Sequence, residues 1–136
     1  MTTHDAEQGQ VLVIAAAFMA LVFLPLAVLV IDGGLVESAY AQLGETLQAS
    51  AEDGASMIDV DVLRRSDGQQ VVLNPDGATT TCERSIRASG LPGIVSTTVT
   101  VRGDTVTASA TIRVDLLIAG AVAITETRSA GFRYGA

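Results

Sequence analysis

The hydrophobic positions of the chain form one uninterrupted run, then a helical stripe, then two alternating runs. The uninterrupted run covers residues 11–31, VLVIAAAFMALVFLPLAVLVI, and contains no charged or polar side chain. A helix of about twenty apolar residues spans the roughly 30 Å hydrocarbon core of a bilayer. The run therefore predicts a membrane-spanning helix near the start of the chain.

Helical periodicity continues beyond residue 31. Apolar residues recur at every fourth position while Glu and Gln fill much of the remaining surface. These apolar positions are Leu35, Ala39, Leu43, Leu47, Ala51 and Ala55, and Ile58 closes the series three residues later. Such spacing is typical of an amphipathic helix. We therefore expect one long helix over residues 10–58, preceded by a short tail over residues 1–9. A bend is expected at Pro25, which removes a backbone hydrogen bond, or at Gly33-Gly34.

Residues 59–136 are expected to form one small globular domain. The sequence Asn74-Pro75-Asp76-Gly77 is a strong turn signal. Asp76 is expected to cap a short helix from about Ala78 to Ala88, which ends at Ser89-Gly90.

From residue 94 onward the apolar period changes from 3.6 to 2. Valines and other small apolar residues alternate with Ser, Thr and Arg from Val95 to Val101 and again from Val106 to Val114, with Gly103-Asp104 between the two runs. This pattern predicts an antiparallel hairpin with one buried face, and residues 121–132 predict a third strand. The long helix and the short helix would cover that face, which makes the predicted fold class α+β.

The segment between the second and third predicted strands, residues 116–122, is LLIAGAV, which is very apolar for a connection. Loops usually lie on the surface. Two alternatives remain: the strands extend into the core, or the segment is an exposed apolar tip that meets a neighbouring subunit or the membrane face.

The charge of the chain excludes one class of partner. The net charge is −7, from 15 acidic and 8 basic residues, and every basic residue is Arg. Nucleic-acid binding needs a basic surface that displaces counterions from phosphates, so no nucleic-acid partner is expected. The single cysteine, Cys82, is interpreted as a small buried apolar residue.

The residues that carry catalysis are also missing. The one histidine, His4, lies in the N-terminal tail, lysine is absent, and neither a zinc-binding spacing nor a phosphate-binding Gly-rich loop occurs. We therefore expect no enzyme, no cofactor and no metal site.

An Ala-x-Ala sequence that ends at Ala41 raises a separate possibility, in which signal peptidase cuts after Ala41 and releases a secreted domain.

Three stretches of the chain carry a family resemblance: Glu-Gln-Gly-Gln-Val over residues 7–11, Ile-Asp-Gly-Gly over residues 31–34, and Gln-Ala-Ser-Ala-Glu-Asp-Gly-Ala over residues 48–55. Together with the apolar run, the first 55 residues resemble the TadE/TadG-like proteins of Flp (Tad) pilus assembly. These are pseudopilins or minor pilins related to type IV pilins.

The resemblance implies the membrane insertion and processing of a pilin. It implies insertion into the bacterial inner membrane with the tail in the cytoplasm and the domain outside, and a cut by prepilin peptidase between Gly9 and Gln10. The fifth residue after such a cut is usually Glu, which neutralises a neighbour's N-terminal charge, whereas this chain has Ile14 there. Asp32 is a candidate for pairing with the terminus of a displaced subunit; the alternative is a solvated residue at the membrane exit.

The resulting hypothesis is a structural subunit of a cell-surface pilus or pseudopilus, with a role in cell adhesion. Its helix is expected to pack against copies of itself or other pilins, and the expected packing residues are Ala15, Ala16, Pro25, Leu35, Leu43 and Leu47. Its other partners would be the membrane, prepilin peptidase and the pilus assembly machinery. The alternative hypothesis is a membrane-anchored accessory protein of pilus assembly or secretion that does not polymerise.

Overall fold

The structure, a computed structural model, describes residues 3–132 and their side chains from Gly9 onward. Its elements are helices α1 (Thr3–Ala55), α2 (Val60–Arg65) and α3 (Pro75–Ala88), followed by strands β1 (Ile94–Arg102), β2 (Thr105–Leu116) and β3 (Gly120–Gly131). The strands form one antiparallel sheet in the order β1-β2-β3. Helix α1 lies across β2 and β3, and α3 lies beside it over β1. The predicted α+β fold, a long N-terminal helix packed on a three-stranded sheet, is confirmed.

Helix α1 runs without a break through the two places where a bend is expected. It begins at Thr3, before the predicted start, and ends at Ala55, before the predicted end. Pro25 and Gly33-Gly34 lie inside it without interrupting the helix. Each Gly costs about 1 kcal/mol and a Pro about 3 kcal/mol in a helix interior, and the long helical segments on either side offset these local losses.

The core lies between the second half of α1 and the sheet. The stripe of α1 is buried only from Leu43 onward, whereas Leu35 is 43 % exposed. The residues that form the core are Leu43, Leu47, Ala51 and Ala55 of α1, Leu73, Ala78, Cys82 and Ile86 of the α3 region, and Val106, Ala108, Ala110, Ile112, Ile124 and Ala130 of the sheet. The predicted alternation of β2 is therefore confirmed.

Strand β1 departs from the predicted alternation at its start. Val95, expected on the buried face, is 61 % exposed. The pairing of β1 with β2 shifts between Ile94 and Ser96. An irregularity of this kind reorients side chains on an edge strand. Ile58 also leaves the helical stripe, because it pairs with Leu73 in an isolated β-bridge.

Two short helices differ from the sequence prediction. Helix α2 was not predicted; Asp59 caps it by accepting hydrogen bonds from the amides of Asp61 and Val62 at 3.0 and 3.1 Å. Helix α3 begins at Pro75 and not at Ala78. Its cap is Asn74 and not Asp76, because Asn74 has extended backbone and its Oδ1 accepts from the Gly77 amide at 3.0 Å. Proline suits the first helical position because it has no N–H group that would need a hydrogen-bond partner.

The outer face of the sheet is rich in side-chain hydroxyl groups. Three residues on each strand face the same way in register, namely Ser96, Thr98 and Thr100, then Thr107, Ser109 and Thr111, then Thr125, Thr127 and Ser129. Hydroxyls on β2 and β3 bond across the strands, at 2.8 Å for Thr111 with Thr125 and at 2.9 Å for Thr107 with Ser129. This polar face, which by the same register also carries Arg102, Arg113 and Asp115, is suited to contact with water.

We expect Leu43→Glu to unfold the outer domain or detach it from α1. Leu43 is fully buried, and loss of the side chain with burial of an unpaired carboxylate costs at least about 3 kcal/mol. Limited proteolysis of the full chain in detergent measures the effect. Gln42→Glu is the control, because it adds the same charge at an exposed neighbour. Normal protease resistance of Leu43→Glu would contradict the packing described above.

We expect Gly54→Ala to destabilise the outer domain by about 1–3 kcal/mol, because α1 and α3 approach closely there. An added Cβ would lie 2.9 Å from the Ala78 carbonyl oxygen and 3.1 Å from the Cys82 Cβ. Gly34→Ala is the matched control, since nothing lies within 4 Å of its added Cβ. Urea unfolding followed by circular dichroism separates the two, and equal midpoints would show that the close approach is unimportant.

Candidate functional site

The first half of α1 presents its apolar side chains outward. Along residues 11–31 every residue is exposed except Val28, which is half-buried. Leu12 and Leu21 are 74 % and 73 % exposed. By length and composition this helix can cross a membrane, and none of its most apolar part is buried within the chain. The N-terminal half of α1 is therefore a candidate membrane anchor.

Asp32 follows this apolar segment directly and binds the turn between β2 and β3. Its Oδ1 accepts a hydrogen bond from the Leu117 amide at 2.9 Å, and its Oδ2 accepts one from the Ile118 amide at 3.1 Å. The residue is only 9 % exposed. The interpretation of Asp32 as solvated is therefore wrong, because two backbone N–H groups take the place of water. Hydrogen bonds to a charged acceptor are stronger than neutral ones.

The turn held by Asp32 is an exposed apolar tip. Strand β2 ends at Leu116 and β3 begins at Gly120, whose positive φ of 71° allows the chain to reverse. Between them Leu117 and Ile118 are 68 % and 66 % exposed. Of the two alternatives for this segment, extension of the strands into the core is wrong and the exposure of the tip is confirmed, while its contact with a neighbouring subunit or the membrane face stays a prediction. We call residues 117–119 the β2–β3 tip.

An open cleft lies beside the Asp32 contact, between α1 and the β2–β3 tip. Its volume is about 760 Å³, and it is lined by Leu29, Asp32, Gly33, Val36, Glu37, Tyr40, Ala41, Leu116, Ile118 and Ala119. Most of these side chains are apolar. Leu29 belongs to the candidate anchor, so the cleft joins the anchor surface to the outer domain.

A second polar contact lies further along α1, on the inner face of β3. The Glu126 carboxylate is 7 % exposed and forms an ion pair with the Arg128 guanidinium at 2.8 Å. The guanidinium lies against Gly44, where an added Cβ would be 3.0 Å from Nη2. Hydrogen bonding to Glu126, together with its negative charge, raises the pKa of the Tyr40 hydroxyl. Sequence reasoning missed this contact, although Glu126 and Arg128 share the inward parity of Ile124 and Ala130.

The residues predicted for packing fall into two groups. Leu43 and Leu47 are fully buried against the sheet, whereas the exposed residues on α1 are Ala15, Ala16, Pro25 and Leu35. Packing of the exposed group against other helices stays a prediction. Gly9 and Gln10, the predicted cleavage position, are exposed residues within α1.

Cys82 is the candidate reactive group whose side chain the structure describes. Cys82 is buried in α3, and burial raises the pKa of its thiol to about 11, so the thiol is uncharged at neutral pH. The side chain of His4 lies outside the described residues. Among the residues whose side chains are described, no group of three His, Cys, Asp or Glu is placed to hold a metal ion.

We expect Asp32→Ala to release the β2–β3 tip from α1. Two hydrogen bonds to a charged acceptor would be lost, each worth about 1.5–3 kcal/mol. Hydrogen exchange at the Leu117 and Ile118 amides is expected to become faster, with Asp32→Asn intermediate because one acceptor oxygen remains. Glu37→Ala, at an exposed carboxylate of α1, is the control and leaves these amides protected. Unchanged protection in Asp32→Ala would show that other contacts hold the tip.

Comparison of the chain with family models, with curated proteins and with solved structures finds no match. The resemblance to TadE/TadG-like proteins therefore stays a prediction from the residues of the first 55 positions. The exposed apolar helix, the Asp32 contact and the apolar cleft carry the functional argument.

Proposed function

We propose that this chain is a structural, pilin-like subunit of the TadE/TadG-like type. Helix α1 inserts into the bacterial inner membrane, with residues 59–136 outside the cytoplasm. It then packs with other copies, or with other pilins, into a Tad/Flp-type pilus or pseudopilus at the cell surface. The protein acts by packing and not by catalysis.

The exposed surface of α1 is the observation that carries the proposal. Burial of each large apolar side chain is worth about 1.5–3 kcal/mol, and most of those along residues 11–31 are more than half exposed. Such a surface is unstable in water and needs either lipid or other apolar helices around it. Ala15, Ala16, Ala17 and Ala20 leave room for the close approach of a neighbouring helix.

The attachment of the outer domain also supports a packing role. The same continuous helix forms the anchor and the core of the domain. Helices bundled through residues 11–31 would therefore place their sheets around the bundle in a fixed orientation. The hydroxyl-rich face of the sheet, opposite the core, would face water on the outside of such an assembly.

A second candidate, a membrane-anchored accessory protein that does not polymerise, is favoured by a specific observation. Pilin-like packing needs a carboxylate near the free N-terminus of a neighbour, and Ile14 stands where that Glu is expected. Asp32 was the other candidate carboxylate, but both of its oxygens accept hydrogen bonds from its own chain. An uncompensated ammonium in an apolar bundle is costly.

The mass of the mature protein and its location distinguish these functions. For a filament subunit we expect an N-terminus at Gln10 and sheared filaments that contain the protein. Gly9→Leu is expected to abolish both processing and filaments, while Gly34→Leu preserves processing; nothing lies within 4 Å of an added Cβ at either glycine.

An intact N-terminus in the membrane fraction, with no filaments, would contradict the filament subunit and support the accessory protein. A soluble product that begins at Gln42 would contradict both membrane functions.

A further inference from the structure

We propose that the β2–β3 tip is a second membrane contact, which inserts its side chains into the lipid–water interface beside α1. The inference rests on the proposed insertion of α1 and adds a site to it. It assigns a lipid-binding role to Leu117 and Ile118, which lie more than eighty residues away from the anchor in sequence.

The depth of the β2–β3 tip follows from its hydrogen bonds. The Leu117 and Ile118 amides lie 2.9 and 3.1 Å from the Asp32 carboxylate oxygens. Asp32 is the first polar residue after the apolar run, so it marks the level at which α1 leaves the hydrocarbon. Hydrogen bonds of this length hold the tip at that same level.

The cleft extends this contact toward the hydrocarbon. Leu29 and Ile118 line the same cleft, and Leu29 lies about 4.5 Å nearer the apolar end of α1 than Asp32 does, at 1.5 Å per residue. With α1 in a bilayer, the mouth of the cleft opens among the upper parts of acyl chains. Their methylene groups match the apolar lining.

The charges around the cleft indicate whether the lipid contact is apolar or depends on anionic headgroups. The charged side chains that line it are Asp32 and Glu37, both acidic, and no Arg lines it. Asp115, just before the tip, is also acidic and exposed. Anionic headgroups would be repelled here. The contact is therefore apolar, made with acyl chains at the interface, and does not depend on anionic lipid.

Position also favours lipid over a second copy of the chain as the occupant. Lipid surrounds α1 at the level of Asp32 whenever the helix spans a bilayer. A second copy would have to present a complementary apolar surface at the same depth. The tip therefore meets lipid first, and two attachment points then limit rotation of the whole molecule about the axis of α1 relative to the bilayer.

The experiment uses fluorescence, because the chain contains no tryptophan. Ile118→Trp and Leu117→Trp place a reporter on the tip, and Phe23→Trp places one within the apolar run. Val60→Trp is the matched control, at a half-exposed residue just beyond the end of α1, about 35 Å along the helix from Asp32. Each full-length variant is reconstituted into phosphatidylcholine vesicles whose acyl chains carry bromine either near the headgroup or near the methyl end.

We expect bromine near the headgroup to quench Trp at positions 117 and 118, with blue-shifted emission, and to leave Trp at position 60 unquenched. Bromine near the methyl end should quench Trp at position 23 most strongly. Addition of anionic phosphatidylglycerol should leave the quenching at position 118 unchanged.

The outcomes separate the two proposals. Quenching at position 23 with none at positions 117 and 118 would overturn the tip contact and leave the anchor intact. Blue-shifted emission at position 118 without quenching would place the side chain against protein instead of lipid and overturn the lipid contact. Absence of quenching at position 23 would overturn both proposals. Quenching at position 118 that appears only with anionic lipid would contradict the apolar contact.

Discussion

The burial of the α1 stripe against β2 and β3 is the contact on which the other features of the molecule depend. A small sheet needs cover on its apolar face before it is stable by itself, and α1 supplies it through Leu43, Leu47, Ala51 and Ala55. The same helix carries the exposed apolar run at residues 11–31. The domain therefore cannot lose its attachment to the candidate anchor without also losing its core.

Three close contacts fix the position of the sheet along this helix. At one end, Asp32 holds the β2–β3 tip through two backbone amides. In the middle, Gly44 leaves space for the Arg128 guanidinium, which is paired with the buried Glu126. At the other end, Gly54 allows the backbone of α3 to approach. Each contact depends either on a charged acceptor or on the absence of a side chain, so a slide of the sheet along α1 would disrupt all three.

This attachment gives the molecule a defined geometry relative to a surrounding apolar phase. Exposed apolar side chains cover one half of α1, the candidate anchor, and the β2–β3 tip reaches the boundary of that half. The hydroxyl face of the sheet lies on the side away from α1. The arrangement serves a filament subunit and an anchored accessory protein equally well. What differs between them is whether other helices replace lipid along residues 11–31.

The sequence by itself determined the main elements, because their signals are local and periodic. The apolar run, the stripe with a period near 3.6 and the alternation of β2 were enough to predict the long helix, its buried face and the antiparallel hairpin. The errors of the prediction concern short segments whose local pattern is weak or ambiguous. Helix α2 is a single short turn of structure with no apolar stripe of its own, and the start of α3 depends on whether Asn74 or Asp76 caps it.

Tertiary structure alone decided the role of the polar residues. From the sequence, Asp32 is interpreted as a solvated residue that follows an apolar run. The fold instead places the amides of Leu117 and Ile118, more than eighty positions away, within hydrogen-bond distance of its carboxylate. The ion pair of Glu126 and Arg128 likewise depends on the face of α1 that packs over it. A carboxylate is stable in a buried place only when donors surround it, and which donors arrive is set by the packing of distant elements and not by neighbouring residues.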